Sequence, residues 1–282
     1  MKNLLSDSHT DFLTILNKRE SKKYISIISN ITNTISCAIF TTEYSFKIND
    51  IVLYNKLLKQ LSKEYNINLL LSIEDLGFIK DSNELVKLLE LKPFSISLTW
   101  NNPNQYAGGA NSNIGLTPLG IKTINLIESK NVLIDTAHLS KQSFNDFVKI
   151  TKFPIYNSHS NIYDLFNHQR NLDYKQIKKI VETNGYLGIT IYNKFISNSK
   201  ISSWDIAYQF DYLIKNFGYN NFGFGTDLYG FNNSYLPTDI KQFQDLLIIK
   251  NKLLTMGHKL KNIEKIMHLN FQNFVKNIIK NV

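Results

Sequence analysis

The sequence predicts an α/β chain folded as a distorted, TIM-like (β/α)8 barrel. Eight short apolar runs alternate with helix-period segments along the 282 residues. Several of the runs are continuous in β-rich residues, as strands of a parallel sheet buried on both faces are. Histidines and carboxylates also stand at or just after the ends of the runs, where a barrel of this type gathers its chemistry.

Taken in order, strands are expected at residues 3–7, 35–42, 67–74, 94–100, 132–135, 153–157, 186–191 and 222–226. Amphipathic helices are expected between them at 48–65, 83–91, 118–129, 141–150, 174–184 and 203–217. Thr117-Pro118 is a helix start, with Thr as N-cap and Pro in the first turn. The segment 21–33 is mixed in character and marks its helix weakly. Two helices, 239–255 and 260–279, close the sequence on either side of Gly257. No linker, repeat or low-complexity stretch divides it, so residues 1–282 are read as one domain.

Composition excludes more than it assigns. At 43% hydrophobic residues the chain can bury a sizeable core and is not a disordered one. No apolar stretch is long enough to span a bilayer. The opening MKNLLSDSHTDF meets Asp7 too early for a signal peptide. With Cys37 as the sole cysteine no internal disulfide can form, and a cytoplasmic location is expected. The net charge of +9 would suit an acidic partner. The basic residues are dispersed, however, apart from the cluster Lys18, Arg19, Lys22 and Lys23. Without a zinc-finger, RNA-recognition or P-loop signature, neither nucleic acid nor a membrane is expected as partner.

The candidate site is built from residues at strand ends. His9 and Asp11 flank Thr10, and two residues apart on extended chain point to the same side. Taken alone, the pair better fits a solvated loop histidine beside an N-capping Asp. Glu74 closes an apolar strand, where a buried carboxylate must be paired or metal-bound. A strand-end charge facing solvent is the alternative. His138 and His159 follow consecutive strands, and neutral imidazole is a common metal ligand. Asp227 closes Phe-Gly-Phe-Gly-Thr and would act as acid or base, or else is a turn residue. His168, His258 and His268 lie elsewhere and are read as structural or exposed. Together the set looks like a two-metal hydrolase site.

The motifs resemble those of the membrane (renal) dipeptidase family. Gly115-Leu-Thr-Pro-Leu-Gly120 and Leu133-Ile-Asp-Thr-Ala-His-Leu-Ser140 are similar to the family's GLTPFG and LIDxSHxS stretches. Ser158-His-Ser-Asn161, Gly223-Phe-Gly-Thr-Asp227 and Asp7-Ser-His-Thr-Asp11 resemble its SHSN, GxGxDFDG and DxHxD motifs. Leu236-Pro237 and Asn270-Phe-Gln-Asn-Phe274 match in outline, so the resemblance covers nearly the whole chain. It implies a binuclear zinc site in which His9 and Asp11 hold one ion, His138 and His159 the other, and Glu74 bridges them. Ligand type alone also admits manganese or iron. Asp227 would move protons, Arg170 would clasp the substrate's terminal carboxylate through its planar fork, and Tyr192 would line the pocket. The implied activity is hydrolysis of dipeptides, often with a D-residue at the C-terminal position. Two cations would share a water and lower its pKa toward neutrality.

The sequence departs from the animal-type pattern at Trp100, where those members carry a histidine that stabilises the oxyanion or orients the carbonyl. An indole N–H donates one hydrogen bond and carries no charge. Asp75-Leu76 stands where the family favours glycines, Tyr229 where it has a second Asp, and Thr190 where Asn is usual. The stretch from His9 to Glu74 is shorter than in most members. A divergent bacterial-type dipeptidase is therefore expected, acting on a dipeptide or small amide, with a homodimer as the assembly considered. An amidohydrolase or lactonase with an altered pocket, or a catalytically weak binding protein, are the alternatives.

Overall fold

The computed structural model describes residues 4–41 and 47–280. Eight parallel strands close into a barrel in chain order: β1 (Leu5–Thr10), β2 (Thr32–Phe40), β3 (Asn68–Glu74), β4 (Ser95–Ser97), β5 (Leu133–Asp135), β6 (Tyr156–Ser160), β7 (Tyr186–Ile189) and β8 (Phe222–Phe224). The ladder between β2 and β3 runs unbroken from Thr34–Asn68 to Phe40–Glu74. Asp7 pairs with Phe224 to shut the ring. The barrel expected from the alternating pattern is the barrel observed.

Helices surround it: a single turn α1 (Phe12–Ile15), then α2 (Lys18–Ile28), α3 (Ile48–Tyr65), α4 (Ser82–Glu90), α5 (Pro118–Ser129), α6 (Lys141–Val148), α7 (Tyr174–Glu182), α8 (Ser203–Phe217), α9 (Leu247–Thr255), α10 (Leu260–Glu264) and α11 (Asn270–Lys280). Short polar side chains start several of them. Thr117 Oγ1 accepts from Gly120 N at 2.9 Å, Ser140 caps α6 through Ser143 N, and Asp173 caps α7 through Gln176 N. Each such cap is worth about 0.5–2 kcal/mol. α2, weakly marked in the sequence, is defined by the reciprocal box of Asn17 and Glu20 and buries Ser21, Ile25 and Ile28 on one face.

Several boundaries move, and each move has a cause. β1 runs to Thr10, so His9 lies within the strand; Asn3, the expected start, falls outside the described residues. β2 begins at Thr32 and ends at Phe40, and the expected end at Thr42 also falls outside them. β6 is the polar segment Tyr156–Ser160 and not the apolar run before it. Strand interiors facing the barrel mouth are polar here, so an apolar run marks these strands too early. β4 stops at Ser97, leaving Trp100 in the loop beyond. Asp239 does not begin a helix; it accepts from Ser203 N and Oγ, so it caps α8 from outside. The chain re-enters helix through a 3-10 turn at Phe243–Leu246. The last segment is broken by a π turn, Lys265–Leu269. Among the described residues no helix is long and apolar enough to cross a membrane.

The barrel interior is filled by unequal halves. Ser36, Ser72 and Ser95 form a chain of hydroxyls at 2.6 and 2.8 Å on β2, β3 and β4. Opposite them stand Tyr156 and Tyr186, both buried, with hydroxyls donating to the carbonyls of Ser8 and Phe224. Small side chains on one wall make room for large ones on the other, and each of these five hydroxyls finds a partner. α11 covers the amino end: Phe271 and Phe274 pack on Phe94, Tyr156 and Tyr186. At the other end of the filling, a Cβ on Gly225 would lie 1.8 Å from Ser158 O, a backbone atom that cannot yield. Gly225→Ala is therefore expected to destabilise by about 3 kcal/mol, the upper end of the overpacking range; an unchanged urea midpoint would refute this packing.

Candidate metal centre

Six side chains meet at the carboxyl mouth. β1 supplies His9 and, one residue past its end, Asp11; β3 ends in Glu74; the loop after β5 brings His138; β6 carries His159; the turn after β8 brings Asp227. Asp11 occupies the N-cap position of α1 yet makes no capping bond. Glu74 is 5% exposed, so it is no solvent-facing charge. Its Oε1 lies 2.5 Å from His138 Nε2 and 3.8 Å from His159 Nε2, while Oε2 lies 3.7 Å from His9 Nε2. One oxygen thus faces each histidine group. His9 Nε2 is also 3.4 Å from Asp11 and 3.9 Å from Asp227.

Three overlapping sets place their donor atoms within 4.8 Å of one another: His9, Asp11 and Glu74; Glu74, His138 and His159; and His9, His159 and Asp227. The donor chemistry fits divalent cations. His9 Nε2 and both Asp11 oxygens are buried without a hydrogen bond, an arrangement that stays costly until a charge meets it. His138 turns Nδ1 to Asn101 Oδ1 at 3.0 Å, which aims Nε2 at Glu74 and His159.

The electrostatics point the same way. Burial alone would lower His9, but the carboxylates of Asp11, Glu74 and Asp227 overcome it and raise His9 to about 10. The same carboxylates would draw a cation to that position. Burial and the Arg170 guanidinium lower His138 to about 4. Burial and the neighbouring cations hold His159 well below its usual range. Both imidazoles are thus neutral, the form that binds metal. Burial would raise Glu74, yet His138, His9 and Arg170 bring it down to about 2. Asp227 is pushed well up by burial and by the carboxylate of Asp11.

The backbone is strained around these groups. Asp75, Asp227 and Tyr229 all have left-handed φ, at 75°, 61° and 70°. Such conformations cost of order 1–3 kcal/mol in non-glycine residues. The value at Asp75 explains why glycine suits that position in similar sequences. Tyr229 is the more unusual, since a bulky residue rarely enters this region.

A cavity of about 990 Å³ opens over five of the six, with His9 buried behind them. Arg170 is 3% exposed; its Nη2 donates to His159 O, its amide to His168 Nδ1, and its Nε and Nη1 have no partner. Trp100 packs on Phe40 at 5.1 Å and lies 6.1 Å from the His138 ring. Tyr192 stands on the far side within an aromatic group with Phe195, Phe231 and Tyr235. All the expected site residues except His9 line one cavity. His168 does as well: it is on a loop as expected, but its ring faces Phe195 at 4.7 Å in the cavity wall. His258 is structural, held between Asp211 and Tyr219. Phe40, Asn101 and Gly230 were not singled out in the sequence. Nothing in local pattern marks the first two; Gly230 follows a recognised motif closely enough to have been noticed.

A closed parallel barrel with overlapping histidine–carboxylate sets at its carboxyl mouth defines a metal-dependent hydrolase of the barrel type. The profile of the membrane dipeptidase family (peptidase family M19) matches residues 29–281, and the chain belongs to that family. It is 26% identical over 215 residues to a protein encoded in the pqqA 5' region of Klebsiella pneumoniae, covering 72% of this chain and 78% of that one. Its fold is similar to an amidohydrolase from Pseudomonas aeruginosa, with TM-score 0.83, 17% identity and coverage of 98% and 96% of the two chains. It is equally similar to a metallo peptidase from Rhodobacter sphaeroides liganded with a phosphinate mimic of L-Ala-D-Ala, with TM-score 0.81, 16% identity and coverage of 96% and 98%.

A Cβ on Gly230 would lie 2.2 Å from Asp227 Oδ1 and 2.5 Å from Asp11 Oδ2. Those are ends of side chains, so the fold can yield where the site cannot. Gly230→Ala is expected to keep its melting temperature within about 4 °C, about 1 kcal/mol at this size, and to weaken divalent-cation binding about tenfold or more. Calorimetric titration of the metal-free protein checks it.

Proposed function

We propose that this protein is a zinc-dependent dipeptidase whose two ions are held by His9 and Asp11 on one side, His138 and His159 on the other, and Glu74 between them. The observation that carries the reading is the Glu74 carboxylate, with one oxygen directed at each histidine group. Cations held there would supply Lewis acidity for a scissile carbonyl and for a water molecule. The remaining work falls to the chain. Arg170 lines the cavity with donors on Nε and Nη1 still unpartnered, a guanidinium suited to a substrate's terminal carboxylate. Its buried setting strengthens that bond and fixes which end of a dipeptide lies deepest. Asp227 stands beside His9 and would carry the proton to the leaving amine. Tyr192 and Trp100 wall opposite sides and limit the side chains admitted. A C-terminal D-residue is accommodated in this reading, as for the L-Ala-D-Ala mimic in the Rhodobacter sphaeroides enzyme.

Chelation should abolish hydrolysis across a panel of dipeptides with L- and D-residues at the C-terminal position, and readdition of zinc should restore it. Two bound ions with no turnover on any dipeptide would sink the dipeptidase reading. Arg170→Met removes a charged hydrogen bond of about 1.5–3 kcal/mol, so kcat/KM should fall about 10- to 100-fold.

Trp100 favours a second reading, an amidohydrolase or lactonase on the same centre. Its indole, packed on Phe40, occupies the wall nearest His138. Loss of an oxyanion donor costs about 10²–10³ in rate. A strong rise in dipeptide turnover in Trp100→His would favour this second reading, while unchanged turnover would leave the dipeptidase reading in place.

A further inference from the structure

The three metal-facing histidines do not have three separate supports. His138 leans on Asn101, while His9 and His159 turn Nδ1 toward the same atom, Ser158 Oγ, at 3.3 and 2.8 Å. The two rings lie against each other, with centroids 3.8 Å apart. They belong to different strands, β1 and β6, and to different halves of the candidate centre. Ser158 is itself 1% exposed and firmly seated: its amide donates to Asp135 Oδ1 at 3.0 Å, and its carbonyl accepts from Ser8 Oγ at 2.6 Å. A hydroxyl has two lone pairs and one proton. It can accept from two imidazole N–H groups at once, provided its proton goes elsewhere, and the Asp135 carboxylate is within its reach.

We propose that the Ser158 hydroxyl is a positioning group shared by both halves of the metal centre, accepting from His9 Nδ1–H and His159 Nδ1–H together. Both rings are thereby fixed in the tautomer whose Nε2 lone pair faces the cations. This rests on the two-metal reading above. It goes beyond it by making the halves interdependent: an ion that fixes His9 also fixes Ser158, and so prepares His159 for the second ion. Asn101 has no such reach, because it touches His138 alone among the three rings. Groups of this kind change metal affinity by about 10–100-fold when removed.

The test is calorimetric titration of the metal-free protein with zinc chloride, beside its thermal melt. Wild type is expected to take two equivalents. Ser158→Ala should weaken both equivalents about 10- to 100-fold while the metal-free protein melts as wild type does. Asn101→Ala should weaken only one. A folded Ser158→Ala protein that binds both ions with wild-type affinity, or loses only one, overturns the proposal. Should that variant not fold, imidazole ¹⁵N spectra of the zinc-loaded wild type decide it. His9 and His159 must both carry the proton on Nδ1, and an unprotonated Nδ1 on either ring overturns the proposal. Wild type binding fewer than two ions would instead defeat the two-metal reading, and the same spectra would still judge Ser158.

Discussion

A carboxylate as deeply buried as Glu74 persists only where positive charge or donors meet it. Among the described residues the groups that reach it are imidazoles from β1, β6 and the loop after β5, and the Arg170 guanidinium. The rest of the mouth follows from that demand. Three imidazoles must approach one carboxylate, so their strands must end at matching heights, and their far nitrogens must be held. Two further carboxylates, Asp11 and Asp227, crowd the same space and repel one another unless cations intervene. The site is thus a crowded set of buried carboxylates and imidazoles able to hold divalent cations, as suits a member of a metallopeptidase family.

The barrel supplies this geometry through departures from regularity. The pairing of β1 with β2 shifts register twice, and that of β6 with β7 once, between Asn157 and Ser160. Irregularities of this kind re-aim side chains near active sites. They allow the neighbours Ser158 and His159, which strict alternation would send to opposite faces, to meet through Oγ and Nδ1. Left-handed Asp227 and Tyr229 do similar work after β8. The strain is tolerated because the hydroxyl network of Ser36, Ser72 and Ser95 and the packed tyrosines below it are fully satisfied.

Much of this was legible in the sequence. The alternation of apolar runs and helical segments gave the barrel, and Glu74, His138, His159 and Asp227 were readable because each follows an apolar run. Thr117-Pro118 marked its helix because capping is local chemistry. What stayed hidden depends on partners distant in sequence. The sixth strand reads as ending at Asn157, and its polar end Ser158–Ser160 is recovered only when these residues are seen at a polar barrel mouth. Asp239 reads as a helix start until Ser203 is found beside it. Phe40 and Asn101 have no local signature at all; only closure of the ring brings them to Trp100 and His138.

The aromatic floor has a consequence for biosynthesis. Phe271 and Phe274 come from the final described helix, yet they cover Phe94, Tyr156 and Tyr186, which belong to the middle of the chain. A nascent polypeptide that has not yet released residues 270–280 from the ribosome has every strand available but an open, greasy underside. Until then that surface is exposed. Completion of the barrel floor thereby waits for α11 to emerge, and truncation within α11 would yield an aggregation-prone protein even though every candidate metal ligand was present.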